Sequence, residues 1–500
     1  MTPPASRDGL LRFLTVAAFA ALLVSPVGLS GAVLFAMAAV TTARAARLAA
    51  RRFGHQPARE GMIALGVDRR GRPVALREDD LAAHGLILGA SGAGKTTTLL
   101  AILSHQIQRG RPVVAVDMKG SPAFVRVLAE SAAATGRPIT VWTIDGGAHW
   151  NPLAHGNATE LKDKLITTER FTEPHYKRAA ERYVQTVLQV AGHIHPERPP
   201  TLSEVVALMD PRRLASSLRS LDRPFRERTQ DYLAALTPDQ YSAIRGLQTR
   251  LAVLTESHTG RFLEPPSGVI GRTIDLRTTL SGPEVVVFSL NSSRYGQLAA
   301  QIGTLAVQDL VAASGDRLYE PSRGRSIEPA MIGIDEFSGL SSDHVAALLS
   351  RGRESGMQVL VATQELADLE RAAAGLQDLV LGVTAVKIVH RQEVPRSALT
   401  IAQIAGTEMV WDRTYQTGGP LIGGYGTRGT RRQVERFVVD PNEIKALPTG
   451  EAVVISKLRG GKPRTVRIDP RPRRLSPPRH LPPPGQPPTP QRQPPPDLGR

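Results

Sequence analysis

The sequence predicts an α/β protein: a mainly parallel sheet covered by helices on both faces and broken once by an all-helical insert. An N-terminal transmembrane segment precedes this body, and a disordered tail follows it. Three observations carry the prediction. Short apolar runs, mostly β-branched, alternate with helical stretches, the pattern of strands buried on both faces. One of those runs opens into a glycine-rich loop that ends in Lys95-Thr96. Over 157–280 the alternation gives way to Arg-, Glu-, Leu- and Ala-rich segments with helical spacing.

Taken in order, the first element is the stretch Phe13 to Val40, which carries no charged side chain. It is longer than the ~20 residues that span a bilayer. Ser25, Pro26, Gly28 and Gly31 interrupt it midway. One long span kinked at Pro26 and a hairpin of two short spans both fit; a cleaved signal peptide fits less well, because its apolar stretch is shorter. Arg44, Arg47, Arg51, Arg52 and Arg59 follow. By the positive-inside rule they place the rest of the chain in the cytoplasm, on the plasma (inner) membrane with lipid as a neighbour.

Residues Gly61 to Leu76 read as two short strands around a turn at Asp68–Gly71. Seven further strands are expected: Leu86–Leu88, Val113–Val116, Ile139–Ile144, Val285–Leu290, Met331–Ile334, Val359–Ala362 and Ala385–Val389. From about Pro470 the chain is Pro, Arg and Gln with few large apolar residues, so it cannot bury enough surface to fold. The expected organisation is an anchor over 1–45, a basic linker and hairpin over 46–80 and a sheet domain in two parts, 81–156 and 281–470. The helical insert fills 157–280 and the tail 471–500.

Composition narrows the function. The 500 residues are too many for one ordinary core. Lys and Arg number 62 against 46 Asp and Glu, a formal charge of +16. Such an excess favours phosphate backbones or anionic lipid as partners, although part of it sits at the two ends. There is no cysteine, which excludes a disulfide scaffold, a Cys-bound zinc site and a thiol nucleophile.

The chemistry is concentrated in four motifs. Gly89-Ala90-Ser91-Gly92-Ala93-Gly94-Lys95-Thr96 matches the P-loop pattern and lies between a strand and a helix that begins about Thr97. Its glycines let backbone N–H groups curl around an anion at the positive end of the helix. Residues Gly89 through Thr97 would therefore hold ATP, with Lys95 on the β and γ phosphates and the Thr96 hydroxyl on Mg²⁺. Met331-Ile-Gly-Ile-Asp335-Glu336 is an apolar strand ending in two acids. Asp335 would hold Mg²⁺ through water, and Glu336 would polarise the attacking water. Gln364 closes the next strand and could sense the γ-phosphate or orient water. Arg351 and Arg353 lie between these motifs and could complete a neighbour's site as arginine fingers; Arg391 is a third candidate.

Further pieces sit around this frame: Val114-Ala-Val-Asp117-Met-Lys119-Gly120, Trp150-Asn151-Pro152-Leu153, an RGRESGMQVLVATQ stretch and VVDPNEIKALPTGEAVVI. Their order resembles the type IV secretion coupling proteins (TraG/TraD-like), the conjugative ATPases within the FtsK/HerA branch of RecA-like motors. The resemblance spans roughly Leu86 to Ile468. It implies a RecA-like P-loop fold and a hexameric ring. It also implies ATP hydrolysis that drives DNA, single-stranded in this reading, with a bound relaxase toward a secretion channel and its proteins. It assigns Lys95, Thr96, Asp335, Glu336 and Gln364 the roles above. Asp117 and Lys119 match a family signature whose role the residues do not reveal; site support and a plain turn both fit. Two other functions are compatible with the same motifs: a double-stranded DNA translocase of FtsK type and an ATP-gated receptor for protein substrates. No winged-helix pattern of the kind FtsK motors use follows the motor.

Overall fold

The computed structural model describes residues 61–470, apart from 169–170, 172, 267–271, 321–323, 325, 341, 418–424 and 459–460. The expected membrane segment and the Pro/Arg-rich tail lie outside the described residues. Among the described residues no helix is long and apolar enough to cross a membrane.

An 11-stranded sheet runs β2-β1-β15-β14-β11-β3-β10-β9-β4-β8-β5. Its parallel part holds β3 (Gly85–Leu88), β4 (Val113–Asp117), β5 (Ile139–Thr143), β8 (Val285–Ser289), β9 (Ala330–Asp335), β10 (Met357–Thr363) and β11 (Val386–Val389). These are the seven strands expected from the apolar runs, within a residue or two at each end. Beyond β11 the sheet turns antiparallel through β14 (Glu451–Ser456), β15 (Arg464–Ile468), β1 (Met62–Asp68) and β2 (Pro73–Arg77). The hairpin read at Asp68–Gly71 is β1–β2, where the Asp68 carboxylate accepts from the N–H groups of Arg70 and Arg72 at 2.8 Å.

Side chains alternate across the parallel strands, so each strand feeds two cores. Ile87, Val113, Ala115, Val285 and Val287 face α1 (Lys95–Gln108) and α2 (Pro122–Ala133), which contribute Leu99, Ile102, Leu103, Phe124 and Leu128. Leu86, Leu88, Val114, Val116, Val286 and Phe288 belong to the opposite core.

That second core is shared with the stretch between β5 and β8. Here lie α3 (Ala158–Ile166), α4 (Pro174–Ile194), α5 (Leu202–Leu208), α6 (Pro211–Ser217), α7 (Arg223–Ala234), α8 (Pro238–Glu256) and the short α9 (Leu276–Thr279). Capping boxes start three of them, at Asn157/Glu160, Thr201/Glu204 and Thr237/Gln240. The stretch read as all-helical also holds a two-residue strand, β7 (Thr273–Ile274), which pairs with β6 (His149–Trp150). Beyond β8 come α10 (Ser292–Leu318), α11 (Ser342–Gly352), α12 (Leu366–Ala372), α13 (Leu376–Val383) and α14 (Pro395–Ala405). A separate ribbon, β12 (Thr407–Thr417) with β13 (Tyr425–Phe437), leaves the sheet between α14 and α15 (Pro441–Lys445).

The Trp-Asn-Pro-Leu motif fastens the helical stretch to the sheet. Trp150 Nε1 donates to Asp309 Oδ2 at 3.1 Å, and Lys164 Nζ meets Asp309 Oδ1 at 2.8 Å and the Pro152 carbonyl at 2.7 Å. Asn151 Nδ2 donates to the Pro200 carbonyl at 3.1 Å. Lys164 and Asp309 are buried, so each charge depends on the other. Phe288 of β8 is wedged against Trp150 and Trp142, with ring centroids 5.1 and 6.1 Å away. Replacing Phe288 with Ala should lower stability by about 3–5 kcal/mol. A denaturant midpoint within error of wild type would refute this wedge.

Candidate functional site

Every strand of the parallel sheet ends on one edge, where ligands collect in open α/β folds. β3 runs out at Leu88 into the glycine-rich loop. Gly92 and Gly94 have φ of 73° and 119°, the left-handed region that suits glycine. A Cβ at Gly89 would lie 2.6 Å from His390 Cβ, and one at Gly94 would lie 3.2 Å from His390 Cε1. The loop is thus pressed onto the residue that follows β11. The α1 N-terminus at Gly94 has no side-chain cap, which leaves its first N–H groups to an anion. Lys95 is buried and donates to the Gly89 carbonyl at 2.6 Å. Burial lowers its pKa, partly offset by the charge of Glu336.

Sequence reasoning missed His390. It is buried, and burial brings its pKa to about 4, so it is neutral at physiological pH. Its Nδ1 lies 2.9 Å from the Glu451 carbonyl, which only accepts, so Nδ1 carries the proton. Nε2 then accepts from the Thr98 hydroxyl at 2.9 Å. His390 is a neutral brace joining the P-loop helix to β14. A single histidine after a strand carries no pattern that would have revealed this.

β10 separates the P-loop strand from the strand of Asp335 and Glu336. Thr96 Oγ1 donates to Asp335 Oδ2 at 2.7 Å, bringing together the two residues expected at Mg²⁺. Asp335 is fully buried, and its Oδ1 is without a hydrogen-bond partner. Burial raises its pKa against the pull of the Thr96 hydrogen bond. A buried, unsatisfied carboxylate oxygen beside a threonine hydroxyl is a hard-oxygen donor set, and it fits a magnesium ion.

Glu336 takes left-handed backbone angles, φ 58° and ψ 43°, which a non-glycine residue adopts at a cost. The conformation turns its carboxylate back toward the loop. There Lys119 Nζ meets Oε1 at 2.7 Å, and Gln364 Nε2 donates to both oxygens at 3.2 Å. Gln364, expected near the γ-phosphate, is therefore positioned on the Glu336 carboxylate. Its own carbonyl accepts from the Gly89 N–H at 3.2 Å.

The Asp-x-Lys-Gly signature acquires a role here. Asp117 ends β4, and its carboxylate accepts from the N–H groups of Lys119 at 3.0 Å and Ser121 at 2.6 Å. That turn aims Lys119 at Glu336. Burial pulls the Lys119 pKa down, but the hydrogen bond and charge of Glu336 outweigh it and the pKa rises. A Cβ at Gly120 would fall 2.5 Å from the Asn291 nitrogen, so the last residue of the signature lets β4 and β8 approach.

Arg351 and Arg353 are not brought to this edge. Arg351 lies in the last turn of α11 and Arg353 just after it, both before β10 at Met357, so they lie at the amino end of that strand, about 23 Å of extended chain from Gln364. Arg353 faces buried His84 instead. Arg391, by contrast, sits beside the P-loop, where its carbonyl accepts from the Ala90 N–H at 2.8 Å. Ser91 is exposed at the loop tip, and Ala93 is packed inward.

Family models and solved structures place the chain among known proteins by similarity. Residues 329–449 match the family model described as the TraM recognition site of TraD and TraG. Residues 46–112, which contain the P-loop, match the FtsK/SpoIIIE family model. No curated protein matches the sequence. The bacterial conjugative coupling protein TrwB, in a form lacking its first 70 residues, aligns at 16% identity with a TM-score of 0.58 over 83% of this chain and 90% of that one. TrwB in complex with ADP and Mg²⁺ aligns at 16% identity and TM-score 0.57 over 82% and 89%. VirB4 of Thermoanaerobacter pseudethanolicus aligns at 15% identity and TM-score 0.54 over 84% and 100%.

Asp117 gives the site a pH signature. Burial lifts its pKa from 3.8 to about 6, with the neighbouring Asp335 adding to the shift. A carboxyl group raised in this way costs stability when ionised, so stability should increase as pH falls from about 6 toward 4. Asp117→Asn should flatten that slope in thermal melts recorded across this window; an unchanged slope would assign it to other groups. In its fold and in the order of its motifs, the chain is a P-loop protein similar to the type IV secretion coupling proteins of the FtsK/HerA-like branch.

Proposed function

We propose that this chain is an ATP-driven DNA translocase that couples DNA, or DNA with its relaxase, to a type IV secretion channel. One observation carries the reading: Lys95, Thr96, Asp335, Glu336 and Gln364 converge on the carboxyl edge of a fold shared with a conjugative coupling protein. The motor would work as a homo-hexamer beneath an inner-membrane anchor, with its body in the cytoplasm. The basic balance of the chain suits a DNA substrate.

The residues divide the work. Backbone N–H groups between Ser91 and Thr97 receive the phosphates of ATP, while Gly89 and Ala90, whose own N–H groups bond the Gln364 and Arg391 carbonyls, hold the loop in place, and Lys95 swings from the Gly89 carbonyl to neutralise the terminal phosphates. Thr96 and Asp335 hold Mg²⁺, which supplies charge neutralisation at the phosphates. Glu336 accepts a proton from the attacking water, and Gln364 keeps the carboxylate oriented. Lys119 must let go of Glu336 for the carboxylate to meet that water. Since Arg351 and Arg353 are far from their own P-loop, any finger role they have is toward a neighbouring subunit.

Lys95→Ala should abolish conjugative transfer while leaving the protein at the membrane. Transfer at wild-type frequency in that variant would sink the reading. Glu336→Gln should still bind ATP and Mg²⁺ but hydrolyse it roughly 10²–10⁴-fold more slowly, as measured by phosphate release. Hydrolysis by the full-length chain, measured at constant salt with single-stranded DNA, with duplex DNA and with neither, then identifies the cargo. Stimulation by single strands is expected; none by either form would favour a protein-substrate receptor.

A further inference from the structure

The β12–β13 ribbon is built in a way the nucleotide site does not explain. Register pairs Met409 with Glu435, Trp411 with Gln433 and Arg413 with Arg431, so these residues share one face. That face is open: Met409 is 61% and Trp411 51% exposed, and Arg413, Arg431 and Gln433 are exposed as well. Two arginines directly opposite one another repel, and an exposed tryptophan leaves apolar surface in water. An isolated two-stranded ribbon is also only marginally stable. The Arg431 guanidinium lies over the Trp411 ring, 4.3 Å from its centroid. A flat aromatic surface backed by a guanidinium, next to a second arginine, matches a nucleic-acid strand, which offers bases to stack and phosphates to neutralise.

We propose that this ribbon grips single-stranded nucleic acid, with a base stacked on the Trp411–Arg431 pair and phosphates held by Arg413 and Arg431. The inference rests on the DNA-translocase reading and supplies its contact surface. Charge complementarity selects the occupant: an apolar partner would gain nothing from the opposed arginines.

The chain contains three tryptophans, and Trp142 and Trp150 are 0% and 1% exposed. Intrinsic fluorescence that responds to an added strand therefore reports Trp411. The full-length chain is titrated with oligothymidylate at constant salt, and binding is followed in parallel by anisotropy of a labelled oligonucleotide. Quenching should track binding, and Trp411→Ala should weaken affinity by about tenfold. The pair Arg413→Gln with Arg431→Gln leaves the ribbon's apolar residues intact and keeps the test open if the first variant misfolds. It should lower affinity and reduce the slope of log K against log salt by about one for each phosphate that an arginine no longer neutralises.

Binding with unchanged fluorescence and wild-type affinity in both variants would overturn the ribbon assignment while leaving the DNA reading intact. Failure of the wild-type chain to bind DNA at all would remove the DNA reading itself. Quenching by duplex in preference to single strands would overturn the single-strand form. Quenching that grows with protein concentration and ignores DNA would mark the ribbon as a contact between copies of the chain, and would also overturn the proposal.

Discussion

Two carboxylates that solvent does not reach, Asp117 and Asp335, stand opposite one another at the ends of adjacent parallel strands. The register of β4 against β9 leaves no alternative placement, because shifting either strand by one residue would turn its side chains to the wrong core. Like charges in a low-dielectric setting are costly unless cations and hydrogen-bond donors surround them. The neighbourhood is arranged accordingly. Backbone N–H groups serve Asp117, and the Thr96 hydroxyl serves Asp335. Lys119 contributes positive charge to both acids, and Lys95 adds its own to Asp335. The Oδ1 of Asp335 alone is left without a hydrogen-bond partner in this arrangement of the two acids.

Glu336 inherits its setting from this arrangement. It follows Asp335 directly, so the strand end that buries one acid leaves the other partly buried beside it. The left-handed backbone turns the second carboxylate toward Lys119 and Gln364. These partners follow different strands, β4 and β10, which flank β9. A displacement of either neighbouring strand end would therefore be felt at the Glu336 carboxylate. The buried neutral His390 extends the chain of contacts to β14 through the Glu451 carbonyl.

The two faces of the sheet are used differently. One is sealed by α1 and α2, which bring the P-loop to its edge. The other shares its core with the helical stretch through Trp150, Phe288, Lys164 and Asp309. That stretch is coupled to the same strands that carry Asp117 and Asp335. The β12–β13 ribbon departs from both faces.

Much of this was legible in the sequence, and the limit is physical. Local patterns carry local structure. Runs such as Val113–Val116 and Met331–Ile334 announce buried strands by composition, the P-loop announces itself by its glycines and Lys95, and the acids ending β9 mark a candidate site. The contacts that decide the chemistry join residues far apart in the chain, such as Thr96 with Asp335 across 239 positions and Thr98 with His390 across 292. No periodicity encodes them, since strand order and register decide which ends become neighbours. Tertiary structure alone thus pairs Lys119 with Glu336, puts neutral His390 under Gly89 and carries Arg351 and Arg353 to the far end of β10. The ribbon is hidden from the sequence for a related reason: it stands apart from the core, so it lacks the apolar-polar alternation that a half-buried strand imprints on its sequence.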